Sequence, residues 1–371
     1  MSEEMNFNDV VERVKDALAG ATSSTGQTFL PTETADEIIQ LVYERNFMRS
    51  LFPSMPMSRR MMKVPKLSGS VNFGMMNLAV QSPVTGTGAV TTGAAVPESS
   101  QTSTEITLEL KTMMANVPIG NYLIAYGVEG LLSVLRDDIA SRLAFNEQSL
   151  FLNGDTATGS SYADNVNGIY NASTNPGGVA ADSNSYLFMF DGLRKIALGA
   201  TGATTVDNSS SGAGVAFTLA NLRSAINNLG VYADNRDDLA LIVPRNLEVQ
   251  LLGMTELQTV DKYGPGATIL SGELGRIYGI RVYATGVLAS NLNITGKYAT
   301  GGSTVQNCTM AILLNVRSPI IGNSTIPERR FSIGFHDEPT KDRFVLIPKQ
   351  DVAFNVRYPD AICPIVGLAT I

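Results

Sequence analysis

The 371-residue sequence has no tryptophan, one histidine and two cysteines, and each shortage removes a class of protein. Cys308 and Cys363 have no partner at metal-ligand spacing, so neither a disulfide scaffold nor a zinc site is expected. A Ser-His-Asp or Cys-His site would have to use His336, which lies in the turn-rich stretch HDEPTKD, and no G-x-S-x-G elbow occurs. His336, Asp337 and Glu338 are adjacent rather than spaced along one helix face, which argues against a metal site. There is no G-x-x-x-x-G-K-S/T loop, and the glycine-rich stretch 199–214 has no lysine to meet a phosphate. No catalytic, cofactor-binding or metal residue is therefore assigned, and no enzyme activity is expected. Eighteen consecutive apolar residues occur nowhere, and the opening MSEEMNFNDV lacks the basic start and apolar core of a signal peptide. The expectation is a protein made and kept in a cytoplasm, with no membrane contact. With 27 basic against 34 acidic residues the net charge is -7, which excludes a surface that grips nucleic acid everywhere but leaves room for a local basic patch.

What is present is organised around residues 126–155, YGVEGLLSVLRDDIASRLAFNEQSLFLNGD. Leu131, Leu132, Leu135, Ile139, Leu143 and Leu150 recur at helical steps on one side, and Glu129, Arg136, Asp137, Asp138, Arg142 and Glu147 are assigned to the other. This predicts a two-faced helix of ~26 residues, a rod of roughly 39 Å. Asn153-Gly154 supplies the left-handed residue that commonly closes a helix. Upstream, Asn8 caps a short helix with Val10, Val11, Val14 and Leu18 on its apolar face. A second helix is predicted from Thr34 through Met48, stopped by Pro53. Two short amphipathic helices on a loose tether need a surface elsewhere, for example on another copy of the chain.

Between the second of these helices and the long helix, residues 59–105 read as a long two-stranded arm, because Thr104, Ile106, Leu108 and Leu110 alternate with Glu105, Thr107, Glu109 and Lys111. An isolated two-stranded ribbon is marginal in water, so neighbours must hold it. Arg59, Arg60, Lys63 and Lys66 form a basic cluster at its base. Salt bridges to an acidic patch on an adjacent copy explain that cluster better than nucleic acid does, given the net negative charge. Downstream come a helix near 185–198, a Gly/Thr/Ser-rich insertion at 199–216 and a helix opened by Thr218. LALIV at 239–243 reads as a buried strand, with Pro244 suiting the first turn of the next helix. Further strands are expected at 279–284 and 310–316, a hairpin at 329–358, and a buried C-terminus.

In this order, the segments resemble the major capsid proteins of tailed bacteriophages, the Hong Kong 97-type fold. The strand and helix from LELKTMMANVP to LFLNGD look like that family's entry into its spine helix. LIVPRNLEVQLLGMTELQTVDKYGPGATILSGELGRIYGIRVYAT is similar to its axial domain, carrying Pro244, Asp261, Tyr263, Gly264 and Gly279. DRFVLIPKQDVAFNVRYPDAI matches its final strand.

The resemblance implies an α+β fold in four parts. These are an N-terminal arm with two short helices (1–58), an extended β-hairpin loop (59–105), a peripheral domain with the spine helix (106–155 and 327–356) and an axial α/β domain (156–326 and 357–371). Leu131, Leu135, Ile139, Leu143 and Leu150 would be the spine-helix core, and Arg59, Arg60, Lys63 and Lys66 inter-subunit contacts. The implied function is self-assembly into hexamers and pentamers of an icosahedral head in the host cytoplasm, around double-stranded DNA contacted non-specifically. Portal and scaffolding proteins, and a decoration protein, are the partners implied. The N-terminal region does not resemble a large cleaved scaffolding segment, so a separate scaffolding protein is expected. An encapsulin-type compartment is the nearest rival, and a fibre or surface-layer protein or a motif-less enzyme the rivals from other classes.

Overall fold

The computed structural model describes residues 46–68, 102–121, 131–157, 165–170, 179–180, 185–199, 205–254, 276–298 and 307–370. In chain order these form α1 (Phe47–Leu51), β1 (Ser54–Met57), β2 (Met61–Ser68), β3 (Thr102–Glu109), β4 (Lys111–Met114), β5 (Val117–Gly120) and α2 (Leu131–Asn153). Then come β6 (Ile169–Tyr170), β7 (Val179–Ala180), α3 (Leu193–Gly199), β8 (Val206–Asp207), α4 (Leu219–Leu229), β9 (Leu239–Pro244) and α5 (Arg245–Leu252). The chain continues with β10 (Arg276–Ile277), β11 (Ile280–Thr285), β12 (Cys308–Asn315), β13 (Pro319–Ser324), α6 (Pro327–Arg330), β14 (Ser332–Glu338), β15 (Arg343–Val356) and β16 (Ile362–Ala369).

The first sheet is built on β15, which spans 14 residues and alternates between two tasks. Strand order is β1-β13-β15-β14, with β4 and β5 also pairing with β15. Phe344 and Leu346 pack with Ile139, Ala140 and Ala144 of α2, while Val352 and Phe354 join Leu150 and Phe151 further along it. Between these positions the opposite face appears: Ala353 packs with Val64, Leu108 and Leu110 at the root of the β2–β3 ribbon, and Asn355 Nδ2 donates to Thr107 O at 2.9 Å. One strand thus carries the spine helix on one side and the arm on the other, as period-two alternation allows.

The second sheet runs β10-β11-β9-β12-β16-β8. Every residue of β9 is buried, and so are all but the last of β12 and of β16. Both faces must therefore be covered. Ala311 and Leu313 of β12 face Leu222 and Leu229 of α4 and Leu247 of α5. Met310, Ile312 and Leu314 face a core shared with Leu150, Leu152 and Phe354, which joins the two sheets into one packed body. Full burial of a Leu or Ile contributes about 1.5–3 kcal/mol, so this shared core is the main link between the layers.

Several expectations need correction. Helix α2 is two-faced only over its first half, because every residue from Glu147 to Asp155 is buried where the helix enters the seam between the sheets. Glu147, assigned to the solvated face, is 0% exposed. Gly154 is not left-handed. A Cβ there would lie 2.3 Å from Phe190 O, so glycine closes the helix by letting two backbones touch. No single helix runs through Met48, since Asn46 is extended and caps α1 afresh, accepting from Met48 N at 3.1 Å. The stretch near 185–198 splits into a 3-10 turn at Tyr186–Phe188 and α3. The insertion at 199–216 contributes β8, parallel to β16. Ser54–Met57, expected in the N-terminal arm, and Pro319–Ser324, expected in the axial part, both pair in the first sheet. Pro244 ends β9 and caps α5 instead of opening its first turn.

Candidate assembly interface

The arm root is where sequence pattern and exposure coincide. Strands β2 and β3 pair antiparallel from Met61↔Glu109 to Ser68↔Thr102. Their inward residues Val64, Leu108 and Leu110 seal against Met57, Ile320 and Ala353. This apolar root fixes the ribbon to the first sheet, and the stretch 69–101 beyond it lies outside the described residues.

The basic quartet does not act as one cluster. Arg60 Nη2 reaches Glu109 Oε1 at 3.2 Å, and Lys63 Nζ pairs with Glu105, both pairs on the exposed surface of the ribbon. Pairs this open contribute little to stability. Lys66 Nζ sits 5.0 Å over the ring of Tyr358, at the crossing from β15 to β16. Arg59 turns instead to a cleft of about 390 Å³ shared with Arg60, Lys111, Arg329 and Asp351. Spacing could place Arg59 beside Arg60, but only the register of β4 and α6 against β15 brings in Lys111 and Arg329.

Behind the cleft, on the helix side of the sheet, lies a buried polar network with no counterpart in the sequence reading. Arg49 Nε donates to Glu147 Oε2 at 2.6 Å, and Arg49 Nη2 pairs with Glu147 Oε1. Asn46 Nδ2 donates to Glu147 Oε2 at 2.8 Å, Gln350 Nε2 to Oε1 at 3.3 Å, and Arg49 Nη1 to Asn323 Oδ1 at 2.9 Å. The segment at α1 and strand β15 meet on the one carboxylate that α2 supplies, and β13 joins them through Arg49. The signal was present in the spacing: Ile139, Leu143, Glu147 and Leu150 lie at steps of four, four and three, so Glu147 falls on the apolar stripe.

A second buried junction closes α2. Arg194 Nη1 donates to Asn153 Oδ1 at 2.8 Å and Asn167 Oδ1 at 3.1 Å, and Nη2 donates to Val166 O at 3.1 Å and Gly296 O at 3.0 Å. Burial pulls the Arg194 pKa down to about 10, against the attraction of Asp155, so it stays charged at neutral pH. Buried Asp155 accepts from Val166 N at 2.7 Å and meets Lys195 Nζ at 3.1 Å. Gln148 Nε2 to Thr285 Oγ1 at 2.8 Å and Asn153 Nδ2 to Val287 O at 3.1 Å tie the same helix end to the edge of the second sheet.

Of the residues expected to form the helix core, Ile139 and Leu150 are buried, while Leu135 and Leu143 pack half-buried against the Ile139 cluster. The side chain of Leu131 lies outside the described residues, as do Asp261, Tyr263 and Gly264. Gly279 (φ 81°) follows Tyr278 (φ 51°) in the two-residue turn joining β10 to β11, where left-handed backbone favours glycine. Among the described residues no three His, Cys, Asp or Glu side chains come together as a metal site. No described helix is long and apolar enough to cross a membrane.

A spine helix under one sheet, an arm rooted on that sheet's far side and a second, doubly covered sheet together define the fold of phage shell subunits. A chain from Microbacterium phage Oxtober96 superposes with a TM-score of 0.55 at 13% identity, covering 86% of this chain and 90% of that one. One from Mycobacterium phage Adephagia gives 0.54 at 12% identity, covering 87% and 90%. The capsid chain of a native GTA particle gives 0.52 at 15% identity, covering 94% of each. A search of curated sequences finds no match. The profile of the phage capsid family matches residues 26–250, and the chain belongs to that family. Membership makes it a phage capsid protein, a structural component of the virion.

Proposed function

We propose that this chain forms the hexamers and pentamers of a phage head enclosing double-stranded DNA, and that its arm root is a contact between copies. The observation that carries this is the arm itself. Its root is anchored by Val64, Leu108 and Leu110, while Arg59, Lys111 and Arg329 present charge to a cleft that the described residues leave open. Hundreds of identical contacts, each weak enough to correct during assembly, become collectively durable by multivalency.

In this reading the four parts keep their roles, with Ser54–Met57 and Pro319–Ser324 moved into the peripheral part whose sheet they join. The peripheral and axial parts form the shell wall, and the arm and N-terminal segment are completed by neighbours. The protein works by contact and not by catalysis, assembles in the host cytoplasm, and meets a portal, a scaffolding protein and the packaged DNA through its surfaces.

Deleting residues 68–96 tests the arm directly. The expected product is soluble capsomers that fail to make stable shells, seen by sedimentation. Intact shells of normal stability would contradict the role given to the arm.

A further inference from the structure

The cleft at the arm root carries an imbalance of charge. Arg59, Arg60, Lys111 and Arg329 line it against a single acid, Asp351, whose Oδ1 already accepts from Thr112 Oγ1 at 2.6 Å. Among the described residues, no ion pair joins an acid to Arg59, Lys111 or Arg329. Exposed apolar side chains occur in the cleft and beside its lining residues along the chain: Ile326 is 47% exposed, Met61 55% and Met114 62%. Ile326 lines the cleft itself, Met114 lies two residues from Thr112 on the same strand, and Met61 follows Arg60. An occupant must therefore offer carboxylates to the cleft and apolar side chains to its mouth.

The chain contains such a segment. Residues 1–45 hold nine acidic and three basic residues, a net of -6 out of -7 for the whole chain, so the remaining 326 residues are nearly neutral. Within it, Asp9, Glu12 and Asp16 recur at steps of three and four, beside Val10, Val11, Val14 and Leu18. A helix with that pattern shows a carboxylate stripe next to an apolar one. The volume of about 390 Å³ admits side chains and not a helix, so an occupant of this kind would insert its carboxylates and leave its apolar stripe to meet Ile326 at the mouth. The chain also enters its own fold on the far side. Asn46 is bound to Glu147 on the helix face of the first sheet, whereas Asp351 and the cleft lie on the arm face.

We propose that the cleft seats residues 9–18 of a second copy of this chain. The inference rests on the reading that copies assemble through their arm roots, and it adds which segment fills the contact.

Two full-length variants, Asp16→Cys and Arg329→Cys, carrying different tags are co-expressed, and assembled particles are analysed for a disulfide-linked heterodimer. The native cysteines are buried and do not compete. The link is expected in particles and absent when Arg276→Cys replaces Arg329→Cys. A second measurement guards against a poorly folding variant. Arg59→Glu with Arg329→Glu should lower particle yield about tenfold, and adding Glu12→Lys with Asp16→Lys should restore it to within about twofold. Particles that form normally without the link, or charge reversal that the second pair does not rescue, overturn the proposal and leave the assembly reading standing. A link confined to single chains overturns it too, as does charge reversal that weakens DNA retention with assembly unchanged. If the unmodified chain makes no particles, the assembly reading itself falls.

Discussion

Glu147 shows how much one side chain can carry. Two charges buried together are costly to desolvate, and this pair is repaid by Asn46, Gln350 and Asn323 as further partners. Arg49→Met should therefore lose about 3–5 kcal/mol, because it strands a buried carboxylate. The double variant Arg49→Met/Glu147→Met should recover most of that loss in chemical denaturation. A double variant as damaged as the single one would mean that packing, and not charge, sets the effect. At this scale the sequence misled: Glu147 was assigned to the charged face although its spacing from Leu143 and Leu150 fits the apolar stripe, and no pattern could name Arg49, 98 positions away, as its partner.

The two cysteines give a titratable test. Burial pushes Cys363 from an ordinary value near 9 up to about 12 and raises Cys308 as well. A thiol whose folded pKa is raised keeps its proton in the native state after the unfolded chain has lost it. Its contribution to stability is complete below pH 9 and declines between about 9 and 12. Native protein at pH 8 should leave both thiols unreactive to a disulfide reagent until denaturant is added. Prompt labelling of either would show that the second sheet opens.

At the scale of elements, the end of α2 is the joint at which the two sheets are packed together. Gly154 N donates to Leu150 O at 2.9 Å, and Gly192 N donates to Gly154 O at 2.8 Å, backbone against backbone. Gly154→Ala should therefore cost about 3 kcal/mol or more, since Phe190 O and Leu150 O cannot move without shifting α2. Gly199→Ala, at the end of α3 with open space around it, should change the melting temperature little. Equal effects would argue against a joint at Gly154.

Elements whose fate is decided by local pattern were the readable ones: the all-apolar β9, the Thr218-capped α4 and the alternating β3. Elements decided by distant packing were not. Strand β8 pairs along the edge of β16, and α1 begins at Asn46, whose Oδ1 caps Met48 N while its Nδ2 is held by Glu147.

For the whole molecule, the order of segments carried more information than any motif. Asp261, Tyr263 and Gly264 fall outside the described residues, and the basic quartet disperses on folding. Yet arm, spine helix, covered sheet and returning hairpin occur in the order on which the resemblance to phage capsid proteins rests. The cleft at Arg59 was only half legible, because Lys111 and Arg329 reach it through sheet register that sequence separation hides. Among the described residues the arm root is anchored and its cleft stays open, which is the basis for reading the chain as a component of a larger assembly.

Electron microscopy of the purified full-length protein tests that claim most directly. The account predicts closed icosahedral shells or uniform hexameric and pentameric capsomers. A stable, monodisperse monomer under conditions that support assembly would contradict it.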